Sequence, residues 1–314
     1  MIQSECDIRP SATRGLTIIR AAHLGMCFGV RDAIALARAQ DRSPPLTILG
    51  ELAHNETVLA GLRARGIRME TRVENVTTPS VMITAHGASD KTLQALQERG
   101  LRVLEATCPL VHYAHRAVQT LVRENFHPVI IGQRGHVEVR GLTEDLAEFD
   151  IVLTEEEALG LAERPRFGVA AQTTQPIDRV RHLVEVMRRR FPRSEMRLVD
   201  TVCQPTKQRQ EAAMELARQA DMVVVIGGAH SNNTRELAAT CRRFCPRVHQ
   251  VEDASGLCAD WLMDVETVGL TAGTSTPEQV IDEVETRVRA MAGTRFEGSE
   301  ERAGWVSGEQ QFPR

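Results

Sequence analysis

The sequence predicts an α/β protein built from three related α/β units, and three recurrences predict it. A thiol closes a strand-like run and opens a helix-like segment at Cys27, Cys108 and Cys203, which stand 81 and 95 residues apart. A strand-like run ending in glycine recurs at Gly50, Gly132 and Gly227, 82 and 95 residues apart. A third strand-to-helix signal appears at 82–86, 168–173 and 269–275. These periods match the length of one small α/β unit. The expected organisation is an N-terminal extension over 1–15, βαβαβα units over 16–100, 101–196 and 197–291, and a tail over 292–314 that folds back.

Each element follows from its local pattern. Leu16-Thr17-Ile18-Ile19 reads as a strand, and Val30, Ile34 and Ala37 recur at helical spacing beyond Cys27. Thr47-Ile48-Leu49 stops at Gly50, and Met82-Ile83-Thr84-Ala85 leads into the next helical pattern. In the second unit Leu101–Leu104 precedes Cys108, and Pro109 takes a first-turn position where its missing N–H costs nothing. Val111, Ala114, Val118 and Leu121 then form an apolar stripe. Val129-Ile130-Ile131 ends at Gly132. In the third unit Arg197–Asp200 precedes Cys203, and Ala213, Leu216 and Ala220 mark the inner face of a more polar helix. Val224-Val225-Ile226 ends at Gly227. Beyond Met291, Gly293, Glu297, Gly298, Glu300 and Glu301 read as a loop.

Composition narrows the function classes. With 42% apolar and 25% charged residues the chain is ordinary globular material. A net charge of −4 with no basic block gives no footprint for nucleic acid, and 4% aromatics gives no surface for stacking bases. No apolar window approaches membrane-spanning length and no signal peptide is visible, so neither membrane nor export is expected. Seven cysteines without tight spacing suit a reducing cytoplasm rather than a disulfide scaffold.

Three thiols in one repeated setting are expected to meet, and their shared context favours ligation over core filling. A thiol at a helix N-terminus is expected to have a lowered pKa, and thiolate is the form that binds metal. Zinc held by three cysteines normally recruits close C-x2-C pairs, which are absent. Widely spaced single thiols suit a [4Fe–4S] cluster better, and three of them leave one iron open. Cys6, Cys241, Cys245 and Cys258 read as ordinary packing cysteines.

The second and third signals supply polar groups. His54, His86 and His136 each follow a strand end, as do Thr173, Thr174, Ser231, Asn232, Asn233, Thr274 and Ser275. Singly, such residues most often cap helices. Grouped around three thiols, they suit a phosphate or diphosphate at helix N-termini. Glu138, beside a bound anion in a desolvated pocket, is expected to have a raised pKa and to donate a proton.

These residues resemble a known family. Glu105-Ala106-Thr107-Cys108-Pro109-Leu110-Val111, Gly132–Val139 and Gln172-Thr173-Thr174 look like motifs of the 4-hydroxy-3-methylbut-2-enyl diphosphate reductases (LytB), which close the methylerythritol phosphate route to isoprenoids. Ala53-His54-Asn55, Ala85-His86-Gly87, Asp200–Cys203 and Thr271–Ser275 match in order, so the likeness covers about 17–292. The resemblance implies a trefoil around a [4Fe–4S] cluster held by Cys27, Cys108 and Cys203. It implies that His54, His86, His136, Ser231, Asn232, Asn233 and Ser275 bind the diphosphate. Thr173 would hold the substrate hydroxyl with Glu138, which would deliver protons. Ferredoxin or flavodoxin would supply electrons, and the products would be isopentenyl and dimethylallyl diphosphate.

The chain departs from the family pattern at Met26 and Phe28, which flank the first cysteine, and at Ser231-Asn232-Asn233, where an amide replaces a hydroxyl. Three alternatives stand beside the reductase reading. One is a divergent copy with shifted substrate preference. Another is a cluster lyase of the quinolinate synthase kind, and the last is a redox or metabolite sensor without a proton route.

Overall fold

Twelve short strands, every pairing parallel, form three sheets in the computed structural model, which describes residues 15–40, 45–53 and 55–303. The chain begins with β1 (Thr17–Arg20) and α1 (Phe28–Ala39). It continues through β2 (Leu46–Leu49), α2 (Glu56–Arg63), β3 (Arg68–Glu70), β4 (Ser80–Ile83), α3 (Asp90–Glu98) and β5 (Arg102–Glu105). The second stretch runs α4 (Pro109–Arg123), β6 (His127–Ile131), α5 (Val137–Thr143), β7 (Asp150–Val152), α6 (Glu155–Leu159), β8 (Arg166–Ala171), α7 (Ile177–Arg190) and β9 (Glu195–Leu198). The third runs α8 (Gln204–Gln219), β10 (Met222–Ile226), α9 (Asn232–Arg242), β11 (Val248–Val251), β12 (Thr267–Ala272) and α10 (Glu278–Ala303).

The sheets repeat one order: β3-β2-β4-β5, β7-β6-β8-β9 and β11-β10-β12-β1. Each has four strands where the pattern predicted three. The additional strands β3, β7 and β11 are edge strands of three or four residues, too short and too polar to carry a periodic signal. Central strands are apolar on both faces, as a parallel sheet between helices requires. Val129 and Ile131 pack in a cluster with Leu183 and Met187 of α7, whereas Ile130 packs with Ala114 and Val118 of α4.

The strand before each cysteine belongs to a different sheet from the helix after it. β5, inside the expected second unit, pairs with β4, while α4 packs on the β6–β8 sheet. β1 pairs with β12, while α1 packs against Ile48 and Met82 of β2 and β4. β9 pairs with β8, while α8 packs against Val223 and Val225 of β10. The sheets therefore divide the chain at the cysteines and not at 100/101 and 196/197. Each cysteine sits where the chain crosses from one sheet to the next.

The tail differs from its expectation. Residues 292–303 continue α10 rather than forming a loop, and the remainder of the 292–314 segment lies outside the described residues. Val280, Ile281, Val284 and Val288 bury one face of α10. Beyond them Arg, Glu and Ala are good helix formers, so neither Gly293 nor Gly298 stops the helix.

Candidate active site

The three cysteines stand at the N-cap positions of three helices with extended backbone. One equivalent hydrogen bond fixes each of them. The N–H of Cys27 donates to Thr274 O at 3.0 Å, that of Cys108 to Ala85 O at 3.0 Å, and that of Cys203 to Thr173 O at 2.9 Å. The acceptors lie just past β12, β4 and β8, so the third sequence signal anchors the first. Cys108 Sγ lies against the first turn of α1: a Cβ added at Gly29 would meet it at 2.9 Å. Cys108 and Cys203 each feel the charges of Cys27 and of Glu138, which places thiols and carboxyl in one electrostatic neighbourhood.

At Cys108 and Cys203 the lowering expected of a helix N-terminus is reversed. Burial raises Cys108 and pushes Cys203 up to about 11, although backbone N–H groups and the Thr206 hydroxyl act against it. Desolvation outweighs the helix terminus because little water reaches these sulfurs. Such thiols stay protonated until a metal displaces the proton. Among the described residues no three His, Cys, Asp or Glu side chains converge on a single ion. Single thiols at three helix starts, in one electrostatic neighbourhood, would suit a cluster that takes one thiolate per iron.

Beside the thiols, Ser231, Asn232, Asn233, Ser275, His86 and His136 line one small cavity with Thr174, Thr274, Ala53 and Val30. His54 lies outside the described residues, between Ala53, which lines this cavity, and Asn55, whose side chain caps α2. Capping and cavity lining coincide: Ser231 Oγ accepts from Thr234 N at 3.3 Å, and His136 Nδ1 accepts from Glu138 N at 3.1 Å. The His86 and His136 rings meet edge to face, centroids 5.5 Å apart. Asn233 Oδ1 accepts from Thr274 N at 2.9 Å, while its buried Nδ2 finds no acceptor among the described residues. An amide donor left unmatched in a closed site costs stability, and an anionic oxygen is its natural partner.

Glycine permits this close assembly. A Cβ at Gly132 would come within 2.7 Å of Val139 Cγ2, so only glycine lets α5 approach β6. Gly227 adopts φ +143, which turns the chain from β10 toward Ser231.

Glu138 is 1% exposed, and Thr173 holds both its oxygens, through the backbone N–H at 2.6 Å and the hydroxyl at 3.0 Å. Burial raises its pKa to about 7, against the lowering effect of those two bonds. Its positional counterpart Glu56 is exposed and paired with Arg63. Only one of the repeats therefore carries a buried acid.

Several residues of the site were not singled out from sequence. Thr206 Oγ1 lies 3.0 Å from Cys203 Sγ, and Gln172 Oε1 accepts from Gln133 N at 3.0 Å. Arg209 is buried beside the Cys203 helix start. A signal existed for Arg209: it precedes Ala213 by four residues and so shares the apolar face of α8.

A family model described as LytB protein matches residues 18–289. The 4-hydroxy-3-methylbut-2-enyl diphosphate reductase of Geobacter metallireducens is 36% identical over 279 residues, covering 88% of this chain and 98% of that protein. The Citrifermentans bemidjiense enzyme of the same name is 38% identical over 280 residues, covering 88% and 98%. Among solved structures, the Plasmodium falciparum E-1-hydroxy-2-methyl-but-2-enyl-4-diphosphate reductase superposes with TM-score 0.81 at 25% identity, covering 87% of both chains. A structure of (E)-4-hydroxy-3-methyl-but-2-enyl diphosphate reductase, the terminal enzyme of the non-mevalonate pathway, matches with TM-score 0.63 at 33% identity, covering 88% and 99%. These matches favour the reductase family over the cluster-lyase alternative. With more than half its length matched and all three sheets in place, the chain belongs to the LytB family.

Proposed function

We propose that this chain reduces 4-hydroxy-3-methylbut-2-enyl diphosphate to isopentenyl and dimethylallyl diphosphate, removing the allylic hydroxyl as water with two electrons and two protons. The observation that carries this reading is the buried Glu138–Thr173 pair, whose Thr173 carbonyl also accepts the N–H of Cys203. Cys27, Cys108 and Cys203 would hold a [4Fe–4S] cluster, which when bound supplies the electrons and a Lewis-acidic iron.

The remaining chemistry belongs to the polypeptide. His86, His136, Ser231, Asn232, Asn233 and Ser275 bind the diphosphate together with His54, which follows the cavity-lining Ala53 in sequence. Their N–H, O–H and amide donors suit its oxygens, as do the nearby N-termini of α5 and α9. Thr173 orients the substrate hydroxyl against Glu138. A carboxyl with a pKa of about 7 keeps much of its proton near neutrality and can pass it to the departing oxygen. Apolar walls at Val30 and Ala53 help exclude water from the reacting allyl group. Electrons come singly from ferredoxin or flavodoxin, and the reaction runs in the reducing cytoplasm. Six free cysteines among the described residues are compatible with that setting, and no described helix is long and apolar enough to cross a membrane.

The test is anaerobic purification with iron and sulfide analysis, then assay with reduced methyl viologen and the hydroxylated allylic diphosphate. Water release with formation of the two isomeric products is expected. Full cluster loading without consumption of that diphosphate would overturn the reading.

A further inference from the structure

Arg209 is a buried cation without an ordinary partner. It is 8% exposed, and among the described residues no carboxylate pairs with it. Its Nε donates to Gly25 O at 3.0 Å and its Nη1 to Pro205 O at 3.0 Å. Gly25 lies two residues before Cys27, and Pro205 two residues after Cys203. Side chains on a helix lean toward its N-terminus, so Arg209, in the second turn of α8, reaches back over the Cys203 end. The guanidinium therefore ties the Cys27 loop to the Cys203 helix.

Two backbone carbonyls satisfy hydrogen bonds but carry no net charge. Removing a cation from water is costly unless an anion compensates it. Burial works to lower the proton affinity of Arg209, and the charges of Cys27 and Cys203 are the influences that act to restore it. Arginine suits this place better than lysine because it stays charged and its fork reaches both carbonyls at once.

We propose that Arg209 is a positioning residue that offsets the negative charge of a cluster held by Cys27 and Cys203, and so makes its one-electron reduction easier. This rests on the cluster-binding reading above. Each electron added to a thiolate-ligated cluster increases its negative charge, and a fixed buried cation stabilises the reduced form more than the oxidised one. Removing that cation shifts the midpoint potential to more negative values. The Arg209→Lys change keeps the charge but gives up the double carbonyl contact.

The experiment is a redox titration of anaerobically reconstituted wild type, Arg209→Gln and Arg209→Lys, followed by cluster absorption and electron paramagnetic resonance, with iron and sulfide counted per chain. Arg209→Gln at full loading is expected to titrate at a lower potential than wild type, with Arg209→Lys between the two. Full loading with an unchanged potential in Arg209→Gln overturns the proposal. If Arg209→Gln loads no cluster, Arg209→Lys decides: loading restored supports a role for the charge, and loading lost there too assigns Arg209 to a merely mechanical clamp and overturns it. A wild-type chain that takes up no iron and sulfide fails the cluster-binding reading itself, and this proposal with it.

Discussion

Thr173 binds both oxygens of Glu138, one through its backbone N–H and the other through its hydroxyl, which fixes the orientation of the carboxyl group. The two residues lie 35 positions apart, at the start of α5 and the end of β8. The same Thr173 carbonyl accepts the N–H of Cys203. One short turn thus joins the proposed acid to one of the proposed ligands.

Glu138→Gln keeps the volume and one hydrogen-bond acceptor but carries no transferable proton. Turnover is expected to fall roughly a hundredfold or more, the range lost when a positioned acid is removed. Cluster absorption should persist. Single-turnover assays beside visible spectra check this, and unaltered turnover would remove Glu138 from the role of acid.

Glu138 also makes stability depend on pH. Its folded pKa of about 7 exceeds the ordinary 4.5, so the native state holds a proton that the unfolded chain releases. Stability is full below 4.5 and declines as pH rises to about 7, by on the order of 3 kcal/mol in total. Denaturant unfolding of the cluster-free protein across this window should show the decline, and Glu138→Gln should flatten it.

Gly29→Ala tests the meeting of α1 with Cys108. The new methyl would stand 2.9 Å from Cys108 Sγ, so the sulfur must move. Alanine also strengthens the helix by about 1 kcal/mol. The expected outcome is less iron bound per chain with a melting temperature that does not fall in the metal-free protein. Calorimetry and iron analysis on the same sample separate the two effects.

Asn233→Ala removes an amide whose Nδ2 has no acceptor among the described residues. The loss of one hydrogen bond to a charged ligand should raise KM about tenfold. The variant also loses the Thr274 N–H contact, so Asn233→Asp, which keeps an acceptor there, is the informative companion. An added negative charge should weaken diphosphate binding further still.

Cys203, raised to about 11, should alkylate far more slowly than exposed Cys258 in metal-free protein at mildly alkaline pH. Mass spectrometry of iodoacetamide-treated samples reads both sites. After reconstitution with iron and sulfide, Cys27, Cys108 and Cys203 should all become unreactive while Cys258 still reacts.

The sequence by itself determined the repeat, the helix starts and most of the polar ring. A thiol before Pro109 or Pro205, and a glycine ending an aliphatic run, are local signals that do not depend on distant contacts. The raised pKa of Glu138 was also legible, on the expectation of an acid beside a bound anion in a desolvated pocket, and burial is what raises it. Only the tertiary structure decided which strand belongs to which sheet, since β5 and β9 carry nothing local that says they pair backward with β4 and β8. It likewise decided the sign of the thiol shifts: the helix terminus is a local property, whereas the burial that outweighs it at Cys203 comes from three units closing together. Arg209 belongs to that second group. Its spacing from Ala213 puts it on the apolar face of α8, but only the packing of α8 against the first loop shows what its guanidinium meets.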